Sequence, residues 1–312
     1  MEEKLNKYYK DLIKQYGKNR ILGLFTIGNI NYNLQENEND YKILCIYLPT
    51  FEELCLNSDI LCENIDEHLY IKDIRYFFNS VEDTNSYALE TLFSKYSFIA
   101  ARYKNLFNKY LYENREYISR YNPAERVERC INRVNQLLQV NSNDNFAEIY
   151  RLYISASKYA DYKPSSECYY IDSPVVIDFI KRIRKGEILI DIESIQQDFQ
   201  QIYDRVKGSA INLEAIKLVK KGILEIMNLA INTDIDIDTF KKSLTEKEKE
   251  AFEIIEKELV DGEGYIKVTQ LTYATNISRP VFTNLFQKIT QSNIGEITPA
   301  GVKGTKIFLY EI

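Results

Sequence analysis

The sequence holds one histidine, His68, in 312 residues. A Ser-His-Asp or Cys-His site would have to be built on it, and a metal centre with two or three histidines is excluded. Asp66 and Glu67 beside it read as a solvated turn, so His68 is expected to be an ordinary loop or strand-edge residue. Cysteine is also scarce. Cys45, Cys55, Cys62, Cys130 and Cys168 are odd in number and form no C-x-x-C pair, which suits reduced thiols in the cytoplasm rather than a disulfide framework. No apolar run approaches the ~18 residues of a membrane span. The opening MEEKLNKYYK lacks the charged-then-apolar pattern of a signal peptide, so neither membrane insertion nor secretion is expected.

At about 150 residues per domain, the length argues for two domains, or two with a small appendage. Hydrophobic residues at 45% and charged residues at 28% are globular values, enough for a real core. Lys and Arg number 40 against 46 Asp and Glu, a net charge of −6. That balance excludes a uniformly basic nucleic-acid coat but leaves room for one basic face on an acidic body.

Residues 1 to 18 read as an amphipathic helix, with Leu5, Tyr8, Tyr9, Leu12 and Ile13 at helical spacing. Apolar β-type runs follow at 21–27, ending at Gly28, and at 41–48, stopped by Pro49. The Asn- and Glu-rich stretch from Asn29 to Asp40 between them reads as a loop. A third short strand is expected at 68–71, leading into a helix from Asp73. The chain then reads as mostly helical to about Leu229, with segments at 87–98, 103–117, 123–138, 146–159 and 173–183. Their Tyr and Phe stripes read as core rather than as a base-stacking platform. The stretch 232–238 alternates polar residues with Ile and draws no helical face, which marks a domain boundary. The expected fold class is α+β: a small mixed sheet with helices in residues 1–115, a helical domain over 116–232, and a C-terminal domain over 240–312.

The C-terminal pattern is compact. Thr245 and Glu248 form a capping box that opens a helix through Leu259. A turn at Asp261-Gly262-Glu263-Gly264, a strand at 265–268 and a short helix at 269–275 follow. Ser278 is expected to cap a helix to Gln291, with Pro280 tolerated in its first turn. Strands at 296–298 and 306–310 bracket a Gly301/Gly304 turn. This order is that of a winged helix-turn-helix. From Tyr265 onward five cations face two anions, a net +3 on an acidic protein. A recognition helix presents its first turns to the major groove, which puts Ser278, Arg279, Thr283 and Asn284 in reach of base edges. Lys303 and Lys306 of the hairpin would then meet phosphate, Lys288 and Thr305 are further candidate DNA-binding residues, and Arg279 is the expected guanine reader. The bland alternative is a protein-interaction winged helix whose lysines only solvate its surface.

Residues 244–310 resemble the DNA-binding domain of the CodY-type global transcription regulators. The shared features are the leading L-T-x-x-E helix, the Asp261-Gly262-Glu263-Gly264 turn, the Ile277-Ser278-Arg279 helix start and Gly301-Val302-Lys303-Gly304-Thr305 in the wing. The resemblance covers about a fifth of the chain and implies sequence-specific binding of double-stranded DNA through Arg279, Asn284 and Lys303.

Residues 20 to 205 are similar in order and spacing to nucleotidyltransferases of the DNA polymerase β superfamily, in particular a phage and bacterial group with a helical second half. The similarity rests on Gly28-Asn29, Asp40-x-Lys42, Pro49-Thr50, Lys72-Asp73-Ile74-Arg75, Glu90 to Tyr96, Asn114-Arg115 and Arg184-Lys185-Gly186. The family's chemistry requires a Gly-Ser pair for the triphosphate and three carboxylates for two Mg²⁺ ions. Here Ser is replaced by Asn29, the second carboxylate by Lys42 and the third by Tyr70, leaving Asp40 alone. The resemblance therefore implies a nucleotidyltransferase-like domain without catalytic activity, and no cofactor is expected. Gly28, Asn29, Asp40 and Lys42 are the candidate nucleotide-binding residues: the domain is then a scaffold, or a sensor if its pocket holds a nucleotide or another anion with Lys42 on phosphate in place of a metal, while Lys42 is equally able to pair with Asp40 or Glu38. Mg²⁺ enters only if Glu36, Glu38 or Asp73 replaces the missing ligands.

The leading expectation is a cytoplasmic, homodimeric, DNA-binding transcription regulator. An active metal-dependent nucleotidyltransferase with a DNA-targeting domain is one alternative. A protein-interaction factor of a phage or mobile element is another.

Overall fold

The structure, a computed structural model, describes residues 1–56, 58, 60–231, 237–260, 262–292 and 294–309. Of the expected domain boundary at 232–238, residues 232–236 lie outside the described residues, as do Asp261 of the expected turn and Tyr310 at the end of the expected hairpin. The chain is α+β and forms two compact units. One holds Met1–Ile99 with Leu106–Glu225, the other Ala100–Asn105 with Ile226–Ile312.

The first unit is built on a five-stranded mixed sheet. Helix α1 (Glu2–Tyr16) precedes β1 (Ile21–Ile27) and β2 (Lys42–Tyr47), then β3 (Cys62–Asn64) and β4 (Leu69–Asp73). Helices α2 (Ile74–Glu82) and α3 (Ser86–Thr91) follow, and β5 (Ser97–Ile99) completes the sheet in the order β3-β4-β2-β1-β5. Every residue of β1 is buried, as befits a central strand covered on both faces. On one face α1 contributes Leu5 and Leu12 to a core shared with Ile21, Leu24, Ile43 and Ile71. β2 and β4 run parallel, with Leu44 opposite Tyr70 and Ile46 opposite Lys72.

The expected helix over 87–98 ends at Thr91, and Ser97–Ile99 instead pairs antiparallel with β1. Buried Thr26 and Asn31 explain the break. Ser94 donates its hydroxyl to the Thr26 carbonyl, Lys95 N–H donates to Asn31 Oδ1, and Tyr96 N–H donates to Thr26 Oγ1. These bonds satisfy backbone and side chain outside a helix, and the open edge of β1 then takes the next residues as a strand. The expected helix over 103–117 is also interrupted, by a π-helical turn at Asn108–Tyr112.

Four long helices carry the rest of this unit: α4 (Pro123–Leu137), α5 (Asn143–Ala160), α6 (Pro174–Arg184) and α7 (Ile192–Val206). Their starts follow local rules. Asn122 accepts from Glu125 N–H ahead of Pro123, Ser142 from Asn145 N–H, and Asp191 from Ser194 N–H. Tyr32 and Leu34, from the loop after β1, pack against Ala147, Ile180 and Ile183 of α5 and α6. Helix α8 (Leu213–Ile231) follows.

The second unit continues with α9 (Glu246–Glu258), β6 (Glu263–Ile266), α10 (Val268–Ala274), α11 (Arg279–Gln291), β7 (Gly295–Pro299) and β8 (Thr305–Leu309). The three strands pair antiparallel in the order β6-β8-β7. Phe252, Ile255, Phe282, Leu285, Ile289 and Ile307 form its core. This is the winged helix-turn-helix element order. The turn between β7 and β8 depends on Gly304, whose φ is +99° and where a Cβ would lie 2.5 Å from the Ile266 carbonyl oxygen. All five cysteines are free thiols. No helix among the described residues is long and apolar enough to cross a membrane.

Candidate functional site

Helix α11 has two faces because its apolar residues recur at three and four. Phe282, Leu285 and Ile289 are buried, which turns Arg279, Thr283, Asn284 and Gln287 to solvent. Ser278 holds the N-cap position with extended backbone, but its side chain makes no capping hydrogen bond. The hydroxyl expected to cap the helix is therefore left uncommitted by it. Pro280 in the first turn has no N–H to satisfy, which reduces the need for a cap. Thr283 donates its hydroxyl back to the Arg279 carbonyl. The Arg279 side chain is exposed, and its guanidinium forms no ion pair or hydrogen bond among the described residues.

The other four candidate DNA-binding residues, Lys303 and Lys306 expected at phosphate among them, occupy different environments. Lys303 stands exposed in the wing, its Nζ 5.5 Å from the centroid of the Tyr265 ring. Lys306 on β8 pairs with Glu263 on β6 at 2.6 Å, and its neighbour Thr305 is half-buried. Lys288, in the last turn of α11, pairs with buried Glu248 at 2.7 Å. Arg279 and Lys303 thus carry unneutralised charge, whereas Lys288 and Lys306 are already paired.

The N-terminal candidates divide as well. Gly28 follows β1 at φ +76°, and its N–H donates to Glu90 Oε1 at 2.7 Å. Asn29 donates through Nδ2 to both oxygens of Asp40, at 3.1 and 3.3 Å, and accepts from Arg184 at 3.3 Å. Asp40 also accepts the Glu36 N–H, and Arg184 bonds the Leu34 carbonyl. Asp40 is accordingly the anchor of its own loop. Lys42, two residues on, makes no ion pair with Asp40 or Glu38 among the described residues. It instead holds its Nζ 5.7 Å from the Tyr70 ring centroid, and Lys42 and Tyr70, the two residues expected at carboxylate positions, share one face of the sheet. Among the described residues no three His, Cys, Asp or Glu side chains group to hold a metal ion.

Glu90 is the functional-looking residue that the sequence did not single out on chemical grounds. It is 1% exposed on α3 and accepts from Gly28 N–H and Asn31 Nδ2. Burial pushes its carboxyl up to about 7 against the opposing pull of Arg151 and the Gly28 N–H. Only its position behind the Gly28 turn reveals this, since nothing in the local sequence marks it as buried.

No family model matches the chain, and no curated protein matches it. A solved structure of a nucleotidyltransferase-like protein from Exiguobacterium sibiricum aligns over 99% of this chain and 99% of its own, with 11% identity and a TM-score of 0.25. A likeness at that level carries no argument about activity.

Proposed function

We propose that the chain is a cytoplasmic transcription regulator that reads double-stranded DNA through its C-terminal winged helix-turn-helix. The observation that carries this reading is the joint exposure of Arg279 on the first turn of α11 and Lys303 in the wing. Both are free of acidic partners among the described residues, while the helix's other side is packed into the core. A recognition helix inserts its first turns into the major groove, where an Arg reads guanine through two parallel hydrogen bonds and a wing lysine neutralises phosphate. Thr283 and Asn284 extend the same exposed face. The resemblance of residues 244–310 to the CodY-type DNA-binding domain points the same way.

The N-terminal unit, on this reading, is a scaffold without nucleotidyl transfer. Support comes from Asp40, committed to Asn29 and the Glu36 backbone, and from Lys42 and Tyr70 at the positions the family fills with carboxylates. A lysine ammonium opposes the charge that a Mg²⁺ pair requires.

The test is selection of bound fragments from random duplex DNA by the full chain at two salt concentrations, with Arg279→Ala/Lys303→Ala in parallel. A two-fold motif lost in the double variant is the expected result, because palindromic operators are read by homodimers. No enrichment at low salt would overturn the reading. Label transfer from an α-labelled nucleotide, abolished by Asp40→Ala, would overturn the inactive scaffold.

A further inference from the structure

The first unit contains a cavity of about 300 Å³ between one face of its sheet and helices α2 and α3, at the lower end of the ~300–1,000 Å³ typical of small-molecule sites. Its sheet wall follows from the period of two along a strand: Lys42 and Leu44 lie on β2, and Tyr70 and Lys72 lie on neighbouring parallel β4. Tyr76 and Ser80 of α2 and Asn85 and Tyr87 at the start of α3 face them.

The charge in this cavity is one-sided. No aspartate or glutamate lines it, although the protein as a whole is acidic at −6. Lys42 Nζ lies 5.7 Å from the Tyr70 ring centroid and Lys72 Nζ lies 4.9 Å from that of Tyr76. Neither ammonium group forms an ion pair or a hydrogen bond among the described residues. Uncommitted hydrogen-bonding groups stand beside them. Ser80 is 8% exposed, and its hydroxyl makes no hydrogen bond among the described residues. Asn85 spends Oδ1 on the Tyr87 N–H, which leaves its Nδ2 donor over. Two ammonium groups, a hydroxyl and an amide therefore stand without a counter-ion between aromatic walls.

We propose that this cavity binds a small aryl phosphomonoester without a metal ion, a property that goes beyond the DNA-binding reading and does not depend on it. The phosphoryl oxygens take Lys42 and Lys72, with Ser80 and Asn85 as further donors, and the planar body lies among Tyr70, Tyr76 and Tyr87. Two cations match the two charges of a monoester. A triphosphate would bring roughly twice that charge and, with no carboxylate in the wall, no means of holding the Mg²⁺ that usually offsets it.

The test is calorimetric titration of the full chain in a chelator, with phenyl phosphate, inorganic phosphate and a nucleoside triphosphate as probes. Phenyl phosphate is expected to bind at least about tenfold more tightly than inorganic phosphate, since only it uses the aromatic walls. Lys42→Gln and Lys72→Gln, which keep part of each apolar stem, should each weaken it about tenfold. Lys217→Ala, a substitution far along the chain in an exposed ion pair with Glu214, should leave it unchanged. Absent binding, binding that requires added Mg²⁺, equal affinity for phenyl and inorganic phosphate, or affinity indifferent to both lysine variants would each overturn the proposal.

Discussion

Lys288 Nζ lies 2.7 Å from Glu248 Oε2, tying the last turn of α11 to the first turn of α9. The pair places a cation at one helix's C-terminal end and an anion at the other's N-terminal end, where each opposes the local dipole. Glu248 also accepts from the backbone N–H and hydroxyl of Thr245. Burial pushes its carboxyl up, but the hydrogen bonds from Lys288 and Thr245 outweigh it and hold the group below the usual carboxylate range.

Lys288→Ala is therefore expected to lower stability by about 1–2 kcal/mol, short of a fully buried pair because Lys288 keeps 38% of its side chain exposed. Because the folded-state pKa of Glu248 is lowered, the pair's contribution is complete above the ordinary carboxylate range and is lost as pH falls through the lowered value. Urea melts of wild type and variant at neutral and acidic pH check this. Curves that stay equally separated down to the most acidic pH would show that Glu248 does not titrate with the pair.

Arg279 and Lys303 should fail differently. Arg279→Ala is expected to cost ~1–3 kcal/mol on the preferred site and to relax the preference at one base pair. Lys303→Ala should weaken all sequences alike and reduce the salt slope by about 1. Fluorescence-anisotropy titrations across salt, on matched and scrambled duplexes, separate the two. Indistinguishable variants would refute the division into reader and clamp.

Glu90 sets a pH dependence of the opposite sign to Glu248. With its carboxyl raised to about 7 from an ordinary ~4.3, the folded protein holds a proton that the unfolded chain has lost across that window. Stability should fall by ~4 kcal/mol as pH rises through it. Glu90→Gln keeps an acceptor for Gly28 and Asn31, and should flatten the profile and raise the melting temperature near pH 8. Denaturation across the window measures it. A wild-type profile already flat there would mean that Glu90 is ionised throughout.

Gly222 reverses a familiar substitution. In a helix, Gly→Ala ordinarily stabilises by ~1 kcal/mol, but a Cβ here would lie 2.4 Å from Tyr110 Cβ. Gly222→Ala should instead destabilise by about 2 kcal/mol. Gly208, whose added Cβ meets nothing within 4 Å, supplies the control. A stabilised Gly222→Ala would mean that α8 shifts freely against Tyr110.

What could be read along the chain was what near neighbours decide. The Thr245–Glu248 capping box has both of its reciprocal hydrogen bonds, since three residues contain the whole device. β1, α4, α5 and α11 lie where their hydrophobic periods put them. Strand β5 lies at the end of a stretch whose period predicts helix, because its conformation depends on Thr26 and Asn31, some 70 residues away in sequence. Strand β3 leaves no signal in the sequence, because Cys62-Glu63-Asn64 is exposed and carries no apolar alternation.

The sequence by itself determined the α+β class, the helix starts, the turn at Gly304 and the acidic body with a basic C-terminal segment. Each of these depends on local backbone preference, hydrophobic period or summed charge. Only the tertiary structure decided that Asp40 is spent on Asn29, that Lys288 is spent on Glu248, and that Lys42 and Lys72 share one cavity without an acid. Those outcomes turn on which distant group fills the space beside a side chain. An isolated carboxylate or ammonium in a sequence carries no record of whether its partner will be water, a counter-ion or a ring.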